Sequence, residues 1–180
     1  MLSYQDILQF WFDELEPSDW FKKDEKLDGV IRERFLFTYR QSIAGELFSW
    51  RENARGRLAE IIVLDQFSRN MFRGSGESFR YDSLALCLSQ EFVRHGFGKD
   101  LEVRERSFAY MPYMHSESRI VHQEAVKVFS EPGLEGNLEY EHQHKRIIDR
   151  FDRYPHRNDV LGRKSTPEEI EFLKGPDSSF

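Results

Sequence analysis

The chain has 180 residues, 39% of them apolar and 32% charged, with a net charge of −6 and an isoelectric point near 5.6. That length suggests a single domain over 1–180 with room for a sizeable core, and the acidic balance argues against a nucleic-acid partner. Cys87 is the single cysteine, so no disulfide framework forms within the chain; the opening MLSYQDILQFWFDELE lacks a signal peptide's basic start, and the longest strongly apolar run, Ile61 to Leu64, is far short of a membrane span, so a cytoplasmic location with no membrane partner is expected.

In chain order, Ser3 is placed to cap a first helix with Asp6 at the capping-box position, and Ile7, Leu8, Trp11 and Phe12 form its apolar face. Pro17 to Asp19 breaks it, and Trp20 and Phe21 anchor the loop that follows. The second helix is predicted from Asp24 to Ile43, with Gly45 just beyond it. Asn53 to Gly56 reads as a turn, and a third helix over Arg57 to Phe67 buries Leu58, Ile61, Ile62 and Leu64. Asp65 lies beside that stripe, one turn from Arg69. Ser68 to Gly76 reads as a basic connector.

The fourth helix, Tyr81 to His95, ends at Gly96, a left-handed C′ candidate, and carries Cys87 as an inert core or near-core residue. The fifth, Leu101 to Tyr110, is expected to stop before Pro112. Ser116 or Ser118 caps the sixth, which Glu131-Pro132-Gly133 closes. The seventh spans Asn137 to Tyr154. In the eighth, Thr166 is the N-cap, Pro167 sits at N1 and Glu169 completes the capping box; it ends near Leu173, before a tail over 175–180 expected to be loose. No stretch alternates like a strand, so the expected fold is all-α, with about eight helices in antiparallel pairs.

Four blocks carry a resemblance: FWF at Phe10 to Phe12, RLAEIIVLDQFSRNMFRG at Arg57 to Gly74, YMPYMHSE at Tyr110 to Glu117, and RFDRYPHRNDVLGRKSTPEE at Arg150 to Glu169. Together they resemble the bacterial domain-of-unknown-function 924 family from about Ile7 to Phe172. The resemblance implies a tetratricopeptide-like helical architecture and no established activity. The resemblance implies that proline is common at the position of Ser68 and glycine at that of Asp152, so a different local turn geometry is expected beside both.

Polar residues concentrate in three blocks at helix ends: Asp65 to Arg73, Tyr110 to Glu117, and His142 to Arg163. Stacked helix pairs could bring these ends to one cleft. A metal site is not favoured, because His142 and His144 point about 200° apart on a helix. A serine or cysteine nucleophile is not favoured either, and no cofactor is expected. Acid/base work falls to His115 or His156, with Glu117 orienting the imidazole. Small-anion binding is the sharper reading. Arg69, Arg73, Arg146, Arg157 and Arg163 offer guanidinium forks, and Asp65, Asn70, Tyr110, His142 and Asn158 complete the candidate site. Against it, these arginines could simply answer Asp65, Asp82, Glu117, Asp149 and Asp152. His144 reads as a packed, hydrogen-bonded histidine. The alternative to a small-molecule site, or an enzyme built on one, is a scaffold for a protein partner, its polar blocks locking helix ends together.

Overall fold

Eight helices, and no strand among the described residues, make up the computed structural model, which describes residues 2–176 and Ser178. α1 (Tyr4–Gln9) runs on into a π-helical turn, Phe10–Glu14. At its start the Asp6 carboxylate accepts from both the Ser3 N–H (2.6 Å) and the Ser3 hydroxyl (2.7 Å). α2 (Glu25–Ile43) is capped by Asp24. α3 is one rod in three parts: α-helix Ala54–Ile62, a π-helical turn Val63–Phe67, and a last α turn Ser68–Met71. There follow α4 (Asp82–Arg94), α5 (Val103–Met114), α6 (Arg119–Phe129), α7 (Glu135–Phe151) and α8 (Pro167–Phe172).

At two helix starts the side-chain cap is where the sequence places it. Ser118 caps α6, and Thr166, Pro167 and Glu169 open α8 as their spacing predicts. Elsewhere there are corrections. Asn53 to Gly56 is not a turn outside α3. The Asn53 side chain accepts from Gly56 N–H (2.9 Å) and caps the helix, whose first turn needs glycine at 56 because a Cβ there would strike the Trp50 carbonyl. Ser68 to Met71 stays helical instead of opening a connector. α5 passes through Pro112 to Met114. Pro112 gives up the bond its N–H would make to the Phe108 carbonyl, and the burial of Phe108 to Met114 in the core holds the helix across it. α7 stops at Phe151, because Asp152 turns left-handed at φ 57°. Cys87 is exposed, on the outer side of α4, and is not part of the core. The expected loose tail falls partly on residues 177, 179 and 180, outside the described residues.

The core centres on α3. Ile61 to Leu64 and Phe67 are fully buried, and Phe67 meets Phe35 of α2 at 4.8 Å and Trp11 at 5.6 Å between ring centres. Phe108 of α5 closes the same cluster against Trp11 at 5.5 Å. Such tilted and edge-on aromatic pairs contribute beyond their buried area. α6 and α7 pack antiparallel. The start of α6 reaches the end of α7 through Arg119 and Asp152 (2.6 Å), and His122 meets Glu141 further in. A smaller apolar cluster, Ile147, Ile148 and Tyr154 with Phe151 and Phe172, carries the 152–166 turn. No helix among the described residues is long and apolar enough to cross a membrane.

Candidate functional site

The π turn in α3 is where the site begins. A π turn admits one residue more than an α turn and shifts the phase of the side chains that follow. Asp65 sits at its middle, fully buried. Its Oδ1 lies 2.7 Å from Nδ1 of His115, the residue that ends α5, and its Oδ2 accepts from the Gln66 amide at 2.6 Å. Arg69 lies one turn on, 3.2 Å from Oδ1, and also donates to the Asp65 carbonyl at 2.6 Å. Burial works against the Asp65 charge, but Arg69, His115 and Gln66 more than offset it and hold the carboxyl below the usual range. His115 is likewise pushed below its usual imidazole value, by burial and by Arg69 against the pull of Asp65. The pair is therefore an ionised carboxylate beside a neutral imidazole. Asp65 takes Nδ1, which leaves Nε2 as the basic nitrogen, on a side chain 17% exposed.

Arg69 spends its fork on Asp82, at the start of α4 (3.0 and 2.9 Å). Arg157, from the turn after α7, reaches the same carboxylate only at 3.5 Å. Its guanidinium is held between two rings, Phe79 and Tyr154, each 4.5 Å away, and its Nε is buried without a hydrogen-bond partner. Burial, then Arg69, lowers the Arg157 pKa. His156, beside it, packs on Tyr154 at 5.5 Å between ring centres, and burial and Arg157 push its pKa down to about 4.

The chain after α7 is shaped by Glu117. Its carboxylate accepts both Arg163 nitrogens (2.6 and 2.9 Å) and the Tyr154 N–H (2.7 Å). Arg163 also donates to Asn158 Oδ1 and to the Tyr154 carbonyl, and Asn158 donates to Ser165. Glu117, Asn158 and Arg163 thus lock a turn. This corrects one expectation: the carboxylate that orients His115 is Asp65, and Glu117 is taken by Arg163.

A family model described as a bacterial protein of unknown function, DUF924, matches residues 7–177. The chain belongs to the DUF924 family. It is similar to a solved structure, a protein of unknown function from Agrobacterium tumefaciens, at 35% identity and a TM-score of 0.90, over 96% of this chain and 97% of that one. No curated protein matches it. Asp152 is the one non-glycine residue with a left-handed backbone among the described residues. Ser68 directly follows the π turn and donates from its hydroxyl to the carbonyls of Asp65 (3.1 Å) and Ser78 (3.0 Å).

Of the sequence candidates, Asp65, Arg69, His115, His156 and Arg157 converge, with Glu117, Asn158 and Arg163 adjoining. Others in the DUF924 chain lie elsewhere. Asn70 and Arg73 both bind Asp28 at the start of α2 (2.8 Å; 2.6 and 2.8 Å). The Tyr110 hydroxyl lies 3.1 Å from Glu131, under the loop after α6, and burial then Glu131 raise its pKa. His142 and Arg146 are exposed on the solvent side of α7. His144 is buried, with Nδ1 donating to the Tyr140 carbonyl at 2.8 Å, as a packed histidine should. Sequence reasoning missed Phe79 and Tyr154 as the walls around Arg157, because aromatic residues are read first as core. It also missed a second carboxylate–histidine pair beneath the site, Glu141 Oε1 to His122 Nδ1 at 2.7 Å, both fully buried. No group of three or more His, Cys, Asp and Glu among the described residues is placed to hold a metal ion.

Proposed function

We propose that this cluster binds a small oxyanion, a carboxylate or phosphate group, and that His115 moves a proton on the bound molecule. What supports the reading is the contrast among the arginines. Arg69 and Arg163 give two nitrogens each to a carboxylate of the chain itself, as do Arg73 and Arg153 outside the cluster, whereas Arg157 is buried with one long contact. A buried guanidinium left short of acceptors is a receptor for a planar anion. Beside it stands a neutral imidazole, oriented by a buried carboxylate, the arrangement a general base requires. In this reading Asp65 orients, His115 transfers the proton, Arg157 holds the anion, and Phe79 and Tyr154 shape the slot. The protein acts in the cytoplasm. The scaffold reading, a tetratricopeptide-like stack presenting a surface to a partner, draws support from exposed aromatic side chains such as Phe21, Phe37 and Phe48.

Charge balance makes the reading testable. With His115 neutral, Asp65 and Asp82 answer Arg69 and Arg157, so an arriving carboxylate leaves the site one charge negative and sulfate leaves it two. That excess favours the imidazolium, and binding therefore takes up a proton. Sulfate, whose charge is constant over this range, is expected to bind more tightly as the pH falls from about 8 to about 5. In His115→Gln binding persists and the pH dependence disappears. In Arg157→Lys, which keeps the charge and loses the fork, binding weakens. Calorimetric titrations in two buffers of different ionisation enthalpy read the proton directly. No binding of sulfate, acetate or phosphate by the wild-type chain, or a pH dependence unchanged in His115→Gln, would sink the proposal.

A further inference from the structure

We infer that α2 carries a self-complementary outer face, and that a second copy of this chain docks on it antiparallel, about a two-fold axis passing between Leu36 and Phe37. The outer side of α2 forms a shallow groove of about 510 Å³ lined by Gly29, Arg32, Glu33, Leu36, Phe37 and Arg40. Phe37 is 66% exposed and Val30 41%, an unusual pair to leave in water on one helix. Glu33 and Arg40 are both exposed and make no ion pair with the described residues. Arg32, by contrast, is engaged, donating to the Met71 carbonyl at 2.9 Å.

The order of these residues is what selects a second copy over another partner. A two-fold between Leu36 and Phe37 sets Leu36 against the partner's Phe37, and Phe37 against the partner's Leu36. Positions equidistant from it then pair across the interface. Glu33 meets the partner's Arg40 and Arg40 the partner's Glu33. Val30 meets Ile43, apolar on apolar. Gly29 meets Ala44, small on small. At 3.6 residues per turn all of these positions fall on one face of the helix. Opposite charges placed symmetrically about an apolar centre are the pattern a two-fold interface needs, because each contact is made twice. Gly29 adds an independent sign. It lies inside a 19-residue helix, where glycine is a poor choice, and a Cβ there would have nothing within 4 Å. Nothing within the chain calls for a glycine, whereas a helix crossing closely at Ala44 does.

A single helix pair is at the small end of specific interfaces, so a reversible dimer is expected, read by sedimentation equilibrium on the full chain from about 10 µM to about 1 mM. Glu33→Arg or Arg40→Glu alone sets like charges against each other and should weaken the dimer by at least about tenfold. Glu33→Arg with Arg40→Glu in one chain recreates both pairs and should return the affinity to within about threefold of wild type. Gly29→Trp has open space in the monomer, so it should keep the helical circular dichroism and remain monomeric. A wild-type chain that is monomeric throughout overturns the inference and leaves the groove to a partner of other sequence. So does a dimer indifferent to the charge reversals, which would be built on another face.

Discussion

The chain buries two carboxylate–histidine pairs of the same bond length, Asp65–His115 and Glu141–His122, each 2.7 Å from carboxylate oxygen to Nδ1. What separates them is the second nitrogen. In His122, Nε2 lies 2.8 Å from the Ser116 carbonyl, which can only accept, and 3.3 Å from the Tyr154 hydroxyl, so its proton is committed. In His115 the ring is partly open to solvent, and Asp65 has Gln66 and Arg69 as further donors. Glu141 has no second donor: its Oε2 is buried without a partner, and burial raises its pKa despite His122. One pair is sealed, holds a single shared proton and ties α6 to α7. The other leaves a nitrogen free to exchange a proton. The residue types are nearly the same, and the surroundings decide the role.

The largest expected effect tests the sealed pair. Glu141→Ala strands His122 in a dry interior and should cost about 3–5 kcal/mol in urea unfolding. His115→Ala removes one of several partners of Asp65 and should cost only about 1–3 kcal/mol. Equal losses would erase the distinction drawn between the two pairs.

Next comes pH. Burial lowers His115, His144 (to about 3) and His156 (to about 4). The unfolded chain protonates each near 6.5 while the folded chain resists. Their contribution is therefore whole above about pH 6.5 and is lost as pH falls toward 4, by up to about 1.4 kcal/mol per pH unit for each group. The two carboxylates have opposite signs. Asp65, depressed, adds stability that is present above the ordinary carboxylate range and lost as pH falls through its lowered pKa. Glu141, raised, favours folding below its ordinary pKa and loses that contribution as pH rises through its folded one. Melting temperatures of Asp65→Asn and Glu141→Gln across pH should change slope in opposite directions.

The smallest effect lies at the far end of α7. Asp152→Gly relieves a left-handed backbone but gives up the exposed contact with Arg119, so a net gain below about 1 kcal/mol is expected.

The starts at Ser118 and Thr166 were legible because a cap is local, each acting within three residues of itself, whereas Asn53, equally local, reads as part of a turn that ends at Gly56. The π turn at Val63–Phe67 was not, since five-residue hydrogen bonding leaves no mark in composition. Pro112 misled because the local cost of a proline is outweighed by the burial of Phe108 to Met114, which local spacing does not register. Arginine clustering was visible, but its meaning depends on carboxylates far along the chain, such as Asp82 for Arg157 and Glu117 for Arg163. His142 and Arg146 were drawn in by proximity in sequence to a block whose other members turn inward. His115 was found, while its true partner lies 50 residues away and no spacing rule reaches that far.

The π turn has one more consequence. Because the wide turn takes up one residue more than an α turn, removing one residue from Val63–Phe67 would restore a regular helix and leave the chain after it in phase. Arg69 would keep Asp82, and Asn70 and Arg73 would keep Asp28. Adding a further residue would instead swing everything after it by about 100° and break both contacts in one step.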